Sequence, residues 1–207
     1  MPDATFLLVA LLLAVTPGPG LFYVAARSLA GGRAEGVASS FGTGLGGLMH
    51  VLAGSLGVSA IVLASAQLFT LLKLAGAGYL VWLGVRAVLD ARREAVPGLV
   101  APPPMGPRRA FREGVTVEAL NPKTAAFFLA FLPQFVDPAA GSVALQFVIL
   151  GVVSVTLNTL ADLVVAYAAG RVREGVARPG LVRRLREASG AAMVALGLGL
   201  LLARRPA

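Results

Sequence analysis

Asp162 lies nine residues before the next charge, Arg171, inside an apolar run that starts near Val143. A carboxylate at the centre of such a run costs about 2.5–3.5 kcal/mol to insert into a bilayer, so it should face protein or a polar cavity and find a partner. Ser154, Asn158 and Asp162 recur every four residues and form one polar stripe on a helix. That stripe suits a proton or an ammonium group; the structural alternative is an aspartate hydrogen-bonded between helices. Glu118, Asn121 and Lys123 form a second polar group. A Glu118–Lys123 or Asp162–Lys123 pair would lower the burial cost, whereas a snorkelling Glu118 would reach the membrane edge. His50 is the sole histidine, on a face shared with Gly42, Gly46 and Gly54. Small residues there allow close helix packing. The imidazole can exchange protons near neutral pH or donate one interhelical hydrogen bond. Asp162, His50 and Glu118 are therefore the candidate proton-coupling groups.

Two helix interruptions accompany these side chains. No charge occurs from Ala4 to Ala26, yet Thr16-Pro17-Gly18-Pro19-Gly20 falls near the middle. Pro17 and Pro19 remove the amides that would pair with the carbonyls of Leu13 and Val15, and each proline pushes the residue before it off helical angles. Asn121-Pro122 repeats the device, removing the partner of the Glu118 carbonyl. Irregular backbone at membrane depth persists only where it is buried or lines a polar cavity. Its free amides, near Gly18, Gly20 and Lys123, suit a carboxylate and its free carbonyls an ammonium group, a match to a zwitterionic amino acid. The candidate substrate-binding set is Thr16, Pro17, Gly18, Pro19, Gly20, Asn121, Pro122, Lys123, Asn158 and Asp162.

The elements that carry them read as an all-α membrane protein. The chain has 207 residues, 57% of them hydrophobic and only 14% charged, with mean hydropathy +0.82. That leaves room for about six spans of roughly 20 residues and no second folded domain. The expected spans are 4–26, 37–63, 67–89, 112–136, 143–170 and 187–203, with a turn near 64–68. Shifting by 105 residues aligns Pro17 with Pro122, Phe22 with Phe127, Gly36 with Gly141 and Gly46 with Gly151. The two broken spans, one and four, then run in opposite directions. The expected fold is two inverted three-helix repeats, about 4–89 and 112–203, in one domain over 1–207. A proline-rich, flexible cytoplasmic linker, about 92–110, joins them.

Charge placement sets orientation. Arginines follow spans one, three and five, while the loops near Gln67 and Asp137 carry none. By the positive-inside rule both termini lie outside, with Arg204 and Arg205 as the exception. Lys73 and Arg86 bound an apolar stretch and are expected to snorkel. The pI of about 11.2 therefore reflects topology, and no nucleic-acid partner is expected. Without cysteine there is no disulfide, thiolate metal site or thiol redox chemistry. One histidine and no cysteine argue against a metal-ion exporter, and no zinc-protease motif or nucleophile elbow suggests an enzyme. No metal or cofactor is expected. Met1-Pro2-Asp3 offers no basic leader, so a cleaved signal peptide is not expected. The Gly42–Gly46 face can pack within the subunit or against a second copy, as in a homodimer.

These segments together resemble the lysine exporter (LysE/RhtB) family of bacterial amino-acid efflux proteins, from the first span nearly to the C-terminus. The resemblance is carried by Thr16-Pro17-Gly18-Pro19, Gly32-Arg33 with Gly36, Gly42 and Gly46, and Lys73-Leu74-Ala75-Gly76-Ala77-Gly78-Tyr79-Leu80. Asn121-Pro122-Lys123 and Leu132-Pro133-Gln134-Phe135 complete it. It implies a multi-pass exporter of amino acids or their derivatives in the bacterial plasma membrane, driven by the proton gradient. It also implies that both break motifs belong to the transport pathway. In the family the residue after the proline motif is often Asn or Asp; here it is Gly20, so substrate preference does not carry over from any member.

Overall fold

The computed structural model describes residues 3–93, 102–169 and 179–202, and among them there is no strand. Helix α1 (Ala4–Val15) is capped by Asp3, whose carboxylate accepts from the Phe6 amide at 2.7 Å. It stops where Pro17 and Pro19 withhold their amides. Helix α2 (Pro19–Ala64) then starts with proline in its first turn, where the missing donor costs nothing.

A straight helix of 46 residues would be about 69 Å long, more than twice the hydrocarbon thickness. Instead α2 folds back at Gly32, which has φ 70° and ψ −162°, a conformation only glycine adopts readily. Arg27 meets Glu35, and Ser28 packs against Gly36. A straight helix would hold each pair about 12 Å apart. The expected loop between spans one and two is thus a single residue, with helix on both sides. Ser65 ends α2, and α3 (Ala66–Arg93) begins at once, inside the turn read from sequence.

Helix α4 (Pro107–Ala119) ends before Asn121, and α5 (Pro122–Ala126) restarts on proline. The chain continues as a π turn (Phe127–Phe131) and two 3-10 turns, Leu132–Phe135 and Pro138–Ala140. Helices α6 (Val143–Ala169) and α7 (Pro179–Leu202) follow. Helix α7 therefore starts eight residues before the expected 187, because its first turns carry arginines beyond the apolar run. Among the described residues four stretches, 19–61, 67–92, 143–169 and 183–202, are long and apolar enough to cross a membrane, and α1 is a shorter apolar helix.

Helix α2 packs along both α4 and α6, α3 pairs with α7, and α1 lies against α6. Gly42 and Gly46 meet the α4 backbone at Phe111 and Val115, so that face is used within the subunit. Gly84 and Gly190 bring α3 and α7 together in the same way. Phe6, Phe127, Phe128, Phe131 and Phe147 build the apolar core. Large apolar side chains such as Leu8, Leu56, Leu71 and Val164 point outward, the pattern of a surface solvated by lipid.

Residues 94–101 of the expected linker lie outside the described residues. Residues 103–106 are tied to α2: Glu35 Oε1 accepts from the amides of Met105 and Gly106, both at 2.7 Å, and Arg27 donates to Pro103 O at 3.2 Å. Tyr23 donates to Ala110 O at 3.0 Å. The arginine-bearing segments meet at this end. Arg92 pairs with Glu187, and Arg33 and Arg186 sit over the rings of Tyr167 and Phe22.

Candidate functional site

The two breaks have nearly the same backbone. Thr16 has φ −72° and ψ 113°; Asn121, 105 residues later, has φ −72° and ψ 111°. At the first break the Thr16 amide is shared between Leu12 O and Leu13 O, at 3.0 and 3.2 Å, and side chains add to it. Thr16 Oγ1 donates to Leu12 O at 2.5 Å. Lys123 Nζ, fully buried, donates to Leu13 O at 3.2 Å and to Thr16 O at 2.9 Å. Ser189 of α7 donates to Pro17 O. The carbonyls thus do hold an ammonium group, the protein's own. Lys123 bridges the two breaks across Gly18, whose absent side chain leaves room for its stem. Two of its three donors are engaged, and one remains.

At the second break the side chains close on one another. Asn121 Oδ1 accepts from the Lys123 amide at 3.1 Å, and Asn121 Nδ2 donates to Glu118 Oε2 at 2.9 Å. Thr124 Oγ1 donates to Glu118 Oε1 at 2.6 Å. Glu118 does not snorkel: it is buried, with both carboxylate oxygens engaged. Its freed backbone carbonyl accepts from the Asn121 amide and from His50 Nε2, each at 3.0 Å. A carbonyl only accepts, so Nε2 carries the proton. His50 therefore plays the interhelical donor.

On α6, Asp162 is buried, and its Oδ2 lies 2.7 Å from Thr43 Oγ1 on α2. The same hydroxyl lies 2.8 Å from Ser40 O. One hydroxyl proton faces two acceptors. A charged Asp162 draws that proton to itself, whereas a protonated Asp162 donates to Thr43 and releases the hydroxyl to Ser40. Asp162 is within electrostatic reach of both Glu118 and Lys123. No direct Glu118–Lys123 or Asp162–Lys123 ion pair forms: the described ion pairs lie elsewhere, and Lys123 prefers the break carbonyls.

Between α1, α2, α5, the π turn and α6 lies a cavity. Thr43, Glu118, Lys123, Thr124, Ser154 and Asn158 form its polar side, facing Leu13, Phe127, Phe128 and Val155. About 20 Å³ is open to the centre of a water molecule, room for one water and too little for an amino acid. The site is closed in this conformation.

The LysE type translocator profile matches residues 11–204. This chain belongs to the LysE type translocator family. The homoserine/homoserine lactone efflux protein of Salmonella typhimurium is 31% identical over 201 residues, covering 96% of this chain and 95% of that one. The leucine efflux protein of Klebsiella pneumoniae is 29% identical over 149 residues, 70% and 68% of the two chains. An uncharacterized membrane protein of Vibrio cholerae is 29% identical over 198 residues, covering 96% and 94%. No solved structure matches the chain.

Of the residues singled out from sequence in this LysE-family chain, Glu118, Lys123 and Asn158 line the cavity. Thr16, Gly18 and Asn121 touch it through Lys123 and Glu118. Pro17, Pro19 and Pro122 shape the breaks, and Gly20 sits against Glu118 Oε2. Asp162 reaches the cavity through Thr43. One expectation changes: the Lys123 amide is capped by Asn121 and is not free for a carboxylate. Sequence reasoning missed Thr43, Thr124 and Ser189. A buried Asp162 requires a partner, which could have pointed to a hydroxyl on a neighbouring helix; Ser189 gave no signal.

Proposed function

We propose that this chain exports an amino acid or a close derivative across the bacterial plasma membrane, in exchange for protons. The observation that carries the reading is the closed cavity between two matching helix breaks, with Lys123 bridging them. The substrate carboxylate takes the remaining donor of Lys123. Its ammonium group faces Asn158, Glu118 and, through Thr43, Asp162. The apolar wall of Leu13, Phe127 and Val155 favours an uncharged side chain. Relatives named for homoserine, homoserine lactone and leucine efflux support this substrate class. Among the described residues no group of three or more ligand side chains gathers to hold a metal ion, so nothing favours the metal-exporter alternative.

Coupling follows from charge. Two buried carboxylates face one buried ammonium, so the cluster is one positive charge short of neutrality, and an uncompensated buried charge is costly. A proton on one of the carboxylates supplies it; a zwitterionic substrate adds no net charge, but its ammonium group competes with that proton for the same carboxylates, so the two exclude each other. The Thr43 hydroxyl, with its choice between Asp162 and Ser40, registers which is present.

The matching angles at Thr16 and Asn121 support two inverted halves and six crossings, with α1 plus residues 19–31 as the first. Gathering of the arginine-bearing segments at one end supports a cytoplasmic position for that end and an outside position for both termini. Alternating access then rocks one three-helix half against the other, opening a cavity now too small for its cargo. The test is a growth-inhibition panel of amino acids, analogues and dipeptides, with intracellular pools measured with and without the protein. Expression should lower the pool of at least one uncharged amino acid; no change in any pool would overturn the reading.

A further inference from the structure

Helix α4 carries Arg108, Arg109 and Arg112 on its exposed face. Arg109 is paired with Glu113 at 2.8 Å. The side chains of Arg108 and Arg112 make no hydrogen bond or ion pair with a described residue, although they stand one turn apart, where like charges repel. Beside them runs an open groove of about 440 Å³ lined by Ala38, Pro107 and Phe111 as well as the two arginines. Its floor is apolar and its rim cationic.

Depth decides what fits there, and this step rests on the reading that the breaks lie mid-membrane. Arg112 is nine residues from Asn121 and Arg108 thirteen, or about 14 and 20 Å along a helix. Half of a hydrocarbon core is about 15 Å, so the arginines stand at its boundary and in the headgroup layer. A free anion would use the arginines and leave the apolar floor bare. An anionic phospholipid uses both.

We propose that this groove binds an anionic phospholipid, its phosphate held between Arg108 and Arg112 and an acyl chain laid along Phe111 and Ala38. The site lies next to the Arg27–Glu35 clamp on residues 103–106, so an occupant would brace the segment that leads into α4 where it is held against α2.

The test is retention of phosphatidylglycerol against phosphatidylcholine by the purified full chain, read by native mass spectrometry. Each arginine near an anionic surface is worth roughly fivefold in affinity, so R108A/R112A should lose about twenty-five-fold in its preference for phosphatidylglycerol. R109A, which removes a charge already paired, should lose much less. All three positions are exposed, so the variants should fold. Equal retention of both lipids by wild type, or an unchanged preference in R108A/R112A, would overturn the proposal. Inorganic phosphate stabilising the protein as well as phosphatidylglycerol does would reassign the groove to a free anion and also overturn it. Retention is read without transport, so failure here leaves the export reading standing, and failure of export leaves this result standing.

Discussion

Replacing Gly20 by alanine puts a methyl group where Glu118 Oε2 now lies. Gly20 is in the first turn of α2 at ordinary helical angles, so alanine itself should be favoured there by about 0.5–1 kcal/mol. The carboxylate must move, however, and Oε2 is the atom bonded to Asn121. A hydrogen bond to a charged group is worth about 1.5–3 kcal/mol, so G20A should destabilise the protein by a net ~1–2 kcal/mol. In an E118A background the obstruction is gone and G20A should stabilise by its propensity alone. The coupling between the two positions should therefore be about 1.5–3 kcal/mol, measured as a double-mutant cycle of unfolding free energies in mixed micelles. If G20A and E118A add within about 0.5 kcal/mol, Gly20 does not make room for Glu118 and the packing argument fails.

Further expectations follow from the same contacts. T43V keeps shape but removes the hydroxyl between Asp162 and Ser40; it should fold, yet lose most gradient-driven export while leaving substrate counterflow measurable. H50A should cost about 1 kcal/mol, one hydrogen bond, because the Glu118 carbonyl keeps the Asn121 amide. Its pH dependence of export should stay that of wild type, and a shifted profile would return His50 to proton transfer. E35A strands a buried Arg27 and two amides, so it should cost about 3–5 kcal/mol, whereas E35Q, whose Oε1 still accepts from both amides and which loses only the charge facing Arg27, should cost clearly less in the same unfolding assay.

Both breaks and the pairing of positions 16 and 121 were legible because proline acts locally: it removes a donor whatever surrounds it. The freed carbonyl of Glu118 was equally legible. Its partner was not, since His50 is 68 residues away in sequence. The same limit explains Lys123. Burial demanded counter-charge or acceptors, and the sequence offered Glu118 and Asp162 as obvious partners. The carbonyls of the first break won, because Gly18 leaves a channel for the lysine stem that only the folded chain reveals. The order in residues 102–106 was hidden for a related reason. Proline-rich composition reads as linker, while Glu35, the residue that fixes it, belongs to α2.

In the proposed export cycle Asp162 is the group that exchanges a proton for the substrate's ammonium charge. Reconstituted vesicles loaded with an exported amino acid, with a pH gradient imposed, test it directly. Wild type should move substrate uphill at the expense of the gradient, and D162N should lose uphill movement while retaining exchange. Gradient-driven export by D162N at the wild-type rate would contradict the account.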